Sequence, residues 1–147
     1  MTMVVRRAAL SDKIRVLMMA KAFHGVSGAP FPFSAPHADA IFCASVEQAN
    51  RLCLVLDVNG VAEGVLVAEA GQHLFGDFSF ASELVWWIEP PYRGRMAARM
   101  VNEYEVWAKA QGCTFAQLAG LGGNPAVGRL YERCGYTAAE RHYLKSL

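Results

Sequence analysis

The sequence predicts an α/β fold, a single domain over residues 1–147 with a mixed central sheet and helices on both faces. Three observations carry this: two β-rich runs hinged on Asn59-Gly60, a long helical stripe after Pro90-Pro91, and a closing alternation of strand-like and helix-like segments with no linker. The predicted order is β-α-α-β-β-β-α-β-α-β. A meander followed by β-α-β-α-β requires both antiparallel and parallel neighbours in one sheet.

Residues 4–8 read as a short strand. Ser11 is a suitable N-cap for the helix that follows, in which Ile14, Leu17, Met18 and Ala22 recur at helical spacing. Gly25 to Ser34 mixes Gly, Pro, Phe31 and Phe33 and reads as a long loop, and residues 36–45 as a second helix. Residues 51–58 and 61–70 form a hairpin, because Asn59-Gly60 fits the positive φ angles of a type I′ turn. Residues 78–88 make the fourth strand, and Pro90-Pro91 end it by removing backbone donors. From residue 93 to 111, Ala97, Met100, Val101, Tyr104, Trp107 and Ala108 follow a helical stripe, and Gly112 stops it. Residues 113–121 read as a strand and Gly122-Gly123-Asn124 as a turn. Pro125 opens a helix to about residue 134, and residues 136–144 read as a last strand.

The chain has 147 residues, of which 54% are apolar, enough for a real core. Fourteen Lys and Arg against thirteen Asp and Glu give a net charge of +1, so no global field points to nucleic acid or an acidic membrane. The start of the chain lacks signal-peptide character, and no apolar run approaches a membrane span. Cys43, Cys53, Cys113 and Cys134 form no CxxC pair and have no His at metal-ligand spacing. Free thiols in a cytoplasmic protein without a metal site are the expectation.

The segment from Ile88 to Ala98 carries chemistry. A strand entering a helix through a turn rich in Gly, Ala and Arg leaves the first helical N–H groups unpaired, and their partial positive charge suits a phosphate. Gly94, Ala97 and Ala98 allow close approach, while Arg93, Arg95 and Arg99 add charge. The plain alternative is a helix start with a solvated basic face. Arg93-Gly94-Arg95-Met96-Ala97-Ala98 resembles the pyrophosphate motif of the GNAT superfamily of acetyl-CoA-dependent N-acyltransferases, Arg or Gln, two residues, Gly, one residue, then Gly or Ala. Met96 departs from it, standing where the family has glycine, and its Cβ is tolerated only if its φ is negative. Asn124 with Leu130-Tyr131 and Gly135-Tyr136 resembles a second GNAT signature, at the family's separation from the first.

The resemblance implies splayed fourth and fifth strands, with acetyl-CoA as cosubstrate between them. Trp87 and Ile88 would pair with the pantetheine arm, the turn from Arg93 to Ala98 would hold the pyrophosphate, and Asn124 would bond the pantetheine or acceptor side. Tyr131 aligns with the tyrosine that protonates the departing thiolate. A lone helical Tyr otherwise packs, and Asn124 otherwise caps a helix. Glu83, among apolar residues on the fourth strand, is the candidate base, its alternative being a solvated strand carboxylate or a water relay. His24, His73 and His142 stand in no constellation. The Gly25 to Ser34 loop and Arg141-His142-Tyr143 are expected to border the acceptor pocket.

The implied activity is transfer of an acetyl group from acetyl-CoA to a primary amine of a small molecule, protein or peptide, by direct attack in a ternary complex. A non-catalytic acyl-CoA-binding regulatory module is the rival, favoured by Met96. An assembly protein using a free sheet edge is a third reading. Relatives often dimerise, which leaves a homodimer open.

Overall fold

The computed structural model describes residues 1–120 and 124–147. The expected end of the fifth strand at Leu121, and the turn at Gly122-Gly123, lie outside the described residues.

Five strands form one sheet in chain order: β1 (Met3–Arg7), β2 (Arg51–Val58), β3 (Val61–Gln72), β4 (Ser79–Ile88) and β5 (Cys113–Gln117). The first four are mutually antiparallel, and β5 runs parallel to β4. The β2–β3 turn has Asn59 at φ 52° and Gly60 at φ 88°, the two positive angles of the expected type I′ turn.

Both faces of the sheet are covered, which explains why β2 is buried almost throughout rather than alternately. Leu52, Leu54, Leu56 and Val58 face helix α3 (Arg95–Ala110), where they meet Met100, Tyr104 and Trp107. Cys53 and Val55 face α1 (Lys13–Ser27) and α2 (Ala35–Glu47), against Val16, Met19 and Phe42. Helix α4 (Pro125–Arg133) follows β5, and Leu130 packs on the α3 side of the core.

Four expectations change. Ser11 does not cap α1: a 3-10 turn, Leu10–Asp12, precedes the helix. There the Asp12 carboxylate accepts from Ala9 N–H at 2.8 Å and pairs with Arg6, which also reaches Asp57. Helix α1 continues past Gly25 to Ser27, because Gly28, at φ 74°, supplies the left-handed cap. The loop before α2 is correspondingly short, and Ser34 caps α2 by accepting from His37 N–H. Residues 136–144 form no strand and lie almost wholly exposed, since Glu140-Arg141-His142 in succession leave no apolar face to bury.

Candidate active site

Two irregularities in β4 create the site. The ladder with β3 slips between Val67↔Val85 and Ala68↔Glu83, so Leu84 is an extra, bulged residue. Without the bulge Glu83 and Val85 would share a face. With it, Glu83 follows Ala81 onto the α3 side, while Val85 and Trp87 pack on the α1–α2 side. The second irregularity is early divergence from β5. Pairing ends at Ser82↔Gln117, a point marked by a Gln117 Nε2 to Ser82 Oγ hydrogen bond of 2.9 Å. Beyond it β4 runs on to Ile88 while β5 stops, which is the expected splay.

Backbone groups on the open side of β4 follow from ladder alternation. Glu89 N–H donates to Glu63 carbonyl at 2.8 Å, so Glu63–Glu89 and Val65–Trp87 are the hydrogen-bonded pairs with β3. The main-chain groups of Trp86 and Ile88 therefore turn toward the gap, and those of Trp87 turn toward β3. Ile88 carbonyl is already occupied, accepting from Arg93 Nε at 2.8 Å. The same guanidinium lies 4.7 Å above the Trp87 ring. The indole N–H groups of Trp86 and Trp87 are buried without an acceptor among the described residues.

Glu83 and Tyr131 converge on one residue, Ala119. Glu83 accepts from Ala119 N–H at 3.0 Å, and Tyr131 hydroxyl donates to Ala119 carbonyl at 2.6 Å. Trp86 stacks on Tyr131, with ring centroids 6.1 Å apart. Glu83 is 7% exposed, and burial pushes its carboxyl up to about 7 although the Ala119 N–H pulls the other way. Burial, then the nearby Glu83 charge, raises the Tyr131 phenol, so it stays protonated at neutral pH. Asn124 Oδ1 accepts from Ala126 N–H at 3.1 Å and caps α4, the structural role foreseen for it.

The start of α3 leaves backbone donors without partners in the helix. Gly94, at φ 143°, is the N-cap, with no side-chain cap and no acid in the first turn. Ala97 N–H folds back to Gly94 carbonyl, leaving the N–H groups of Arg95 and Met96 directed out of the helix end. Met96 is helical, so its φ is negative, and its side chain packs on the core beneath α3. Arg95 and Ala98 are exposed, whereas Ala97 is buried. Arg99 pairs with Glu103 at 3.3 Å.

The sequence model of the Acetyltransferase (GNAT) family matches residues 18–136. The chain belongs to the GNAT acetyltransferase family. It is an acetyltransferase of a family that uses acetyl-CoA. No curated protein sequence matches the acetyltransferase. Among solved structures, a predicted acetyltransferase with acetyl-CoA from Clostridium acetobutylicum superposes with a TM-score of 0.81 at 14% identity, over 99% of this chain and 96% of that one. A transcriptional regulator from Bacillus halodurans C-125 gives 0.79 at 17% identity, covering 99% and 100%. Glucosamine-6-phosphate N-acetyltransferase from Arabidopsis thaliana gives 0.75 at 15% identity, covering 99% of each chain. Identities this low establish the GNAT fold and nothing about the acceptor.

Of the residues singled out in the acetyltransferase sequence, Glu83 and Tyr131 meet, and Gly94 to Ala98 open α3. Arg141, His142 and Tyr143 lie exposed in the tail. Two contributors carried no sequence signal, Ala119 because it acts through its backbone and Trp86 because its role depends on the ladder. No helix among the described residues is long and apolar enough to cross a membrane.

Proposed function

We propose that the enzyme transfers the acetyl group of acetyl-CoA to a primary amine by direct attack in a ternary complex. The observation that carries this is the convergence of Glu83 and Tyr131 on Ala119, at the point where β4 and β5 part. The pyrophosphate sits on the free N–H groups at the start of α3, beside Arg95. The pantetheine arm runs along the open side of β4. Ladder alternation favours Trp86 and Ile88 N–H over Trp87 as its partners, and one of them polarises the thioester carbonyl. Arg93 acts by holding the end of β4 against Trp87 rather than by touching phosphate.

Glu83, titrating near neutrality, takes a proton from the amine as its nitrogen attacks the thioester carbon. The carbon–sulfur bond breaks, and the phenol proton of Tyr131 passes to the departing thiolate. The Tyr131 hydroxyl must exchange its bond to Ala119 carbonyl for one to sulfur. The rival reading, a binding module without turnover, rests on Met96, and the packing of that half-buried side chain against the core argues against it.

The test is free CoA released from acetyl-CoA over a panel of amines. Tyr131→Phe should lower kcat at least about tenfold with little change in KM for acetyl-CoA. An unchanged kcat would take Tyr131 out of the mechanism.

A further inference from the structure

On the α1–α2 side of β4, opposite Glu83 and Tyr131, lies a cavity of about 320 Å³. Phe23, Phe31, Phe33, Ile41, Val67 and Val85 are among the apolar residues of its wall. Volumes of this size, walled mainly by apolar and aromatic groups, are typical of small-molecule sites. No carboxylate lines it, and its polar side chains are His24, Ser34 and His37. His24 Nε2 is bonded to Phe31 carbonyl at 2.7 Å, and Ser34 Oγ accepts from His37 N–H at 3.3 Å. The His24 ring also rests against Phe31 and Phe33, with centroids 5.9 and 5.8 Å away, which fixes the loop that closes the cavity. Val85 shares a strand face with Trp87 and adjoins Trp86, whose main chain turns toward the gap beside β4.

Resting on the acetyl-transfer reading, we infer that the acceptor is a monoamine with an aromatic or branched aliphatic body. That body fills the cavity, and the amino group passes into the gap left where β5 parts from β4, reaching the thioester beside the Trp86 main chain and, across the gap, Glu83. A polyamine or an aminosugar is a poor match. Its extra ammonium or hydroxyl groups would sit among Phe, Val and Ile with no carboxylate to pair a charge and only His24, Ser34 and His37 to bond, which costs more than the apolar wall returns. The site rejects them by what it lacks.

The test compares kcat/KM for phenylethylamine, methylamine, spermidine and glucosamine, in the wild type and in two lining variants. Ala20→Leu fills part of the cavity, and Phe33→Ala, on the loop, enlarges it without touching the sheet. Phenylethylamine should exceed spermidine and glucosamine by at least about tenfold. Each variant should weaken phenylethylamine more than methylamine. Preference for spermidine or glucosamine, or selectivity untouched by both variants, overturns the inference. Should no amine be acetylated, acetyl transfer itself fails, and calorimetry with phenylethylamine still decides the cavity. Saturable binding that Ala20→Leu weakens supports the assignment, and no binding overturns it.

Discussion

Replacing Glu83 by Gln is expected to move stability and activity in opposite directions. In the folded chain the carboxyl titrates near about 7 against an ordinary 4.5, because burial at 7% exposure penalises the anion more than one backbone N–H relieves it. Its folded pKa is raised, so the associated stability is fully present below 4.5 and is lost as pH rises through about 7. At about 1.4 kcal/mol per pH unit, that window corresponds to roughly 3 kcal/mol. Gln does not titrate. Urea denaturation of both proteins should therefore show the variant gaining about 3 kcal/mol on the wild type between about pH 4 and pH 8. Over the same range, kcat/KM of the wild type should rise with an inflection near about 7. The variant should lose that inflection and about a hundredfold or more of the rate. A stability difference that does not change with pH would refute burial as the source of the raised pKa. An unaltered rate would refute the base.

Three further outcomes follow from particular contacts. Gly94→Ala should cost about 1–3 kcal/mol, because φ 143° strains any L side chain even though a Cβ there meets nothing within 4 Å. Thermal denaturation with and without acetyl-CoA should also show less stabilisation by the ligand in this variant. Asp12→Asn should cost about 1.5–3 kcal/mol at neutral pH by removing one of the two carboxylates paired with Arg6 and weakening the turn before α1. The Arg6 guanidinium holds the Asp12 carboxyl below its ordinary 3.8, so its stability is present above that value and lost as pH falls through the lower folded one. Denaturation in acid should show the difference from the wild type shrinking. Crystals grown with acetyl-CoA should place the pyrophosphate within hydrogen-bonding distance of Arg95 and Met96 N–H, and a phosphate elsewhere would remove α3 as the anion site.

The elements legible in the sequence are those whose cause is local. Asn59-Gly60 marks its turn because two consecutive positive φ angles suit few other pairs, and α3 shows its stripe because its residues from Ala97 to Ala108 face one core. The proposed anion site is legible for the same reason, since a helix start without acid is written in consecutive residues. The bulge at Leu84 has no comparable signature. It comes from how β3 and β4 pair, and it alone puts Glu83 on the face of Tyr131 rather than that of Val85. The choice between Trp86 and Trp87 as backbone donors is hidden likewise, because it depends on which cross-strand pairs exchange hydrogen bonds. The strand expected over residues 136–144 misleads in the other direction: a segment without a face to bury does not make a strand. The cavity behind β4 is closed by α1, α2, β3 and β4 with the loop between the helices, so Phe31 and Phe33 announce a pocket but not its lack of carboxylates.

The most direct test of the central claim is a single-turnover reaction with enzyme in excess over acetyl-CoA and phenylethylamine present, read by mass spectrometry of the amine and thiol titration of CoA. Acetyl transfer at the parting of β4 and β5 predicts acetylated amine and free CoA in equal amounts, both suppressed in Tyr131→Phe and Glu83→Gln. Acetyl-CoA bound tightly yet recovered intact with every amine offered would contradict it.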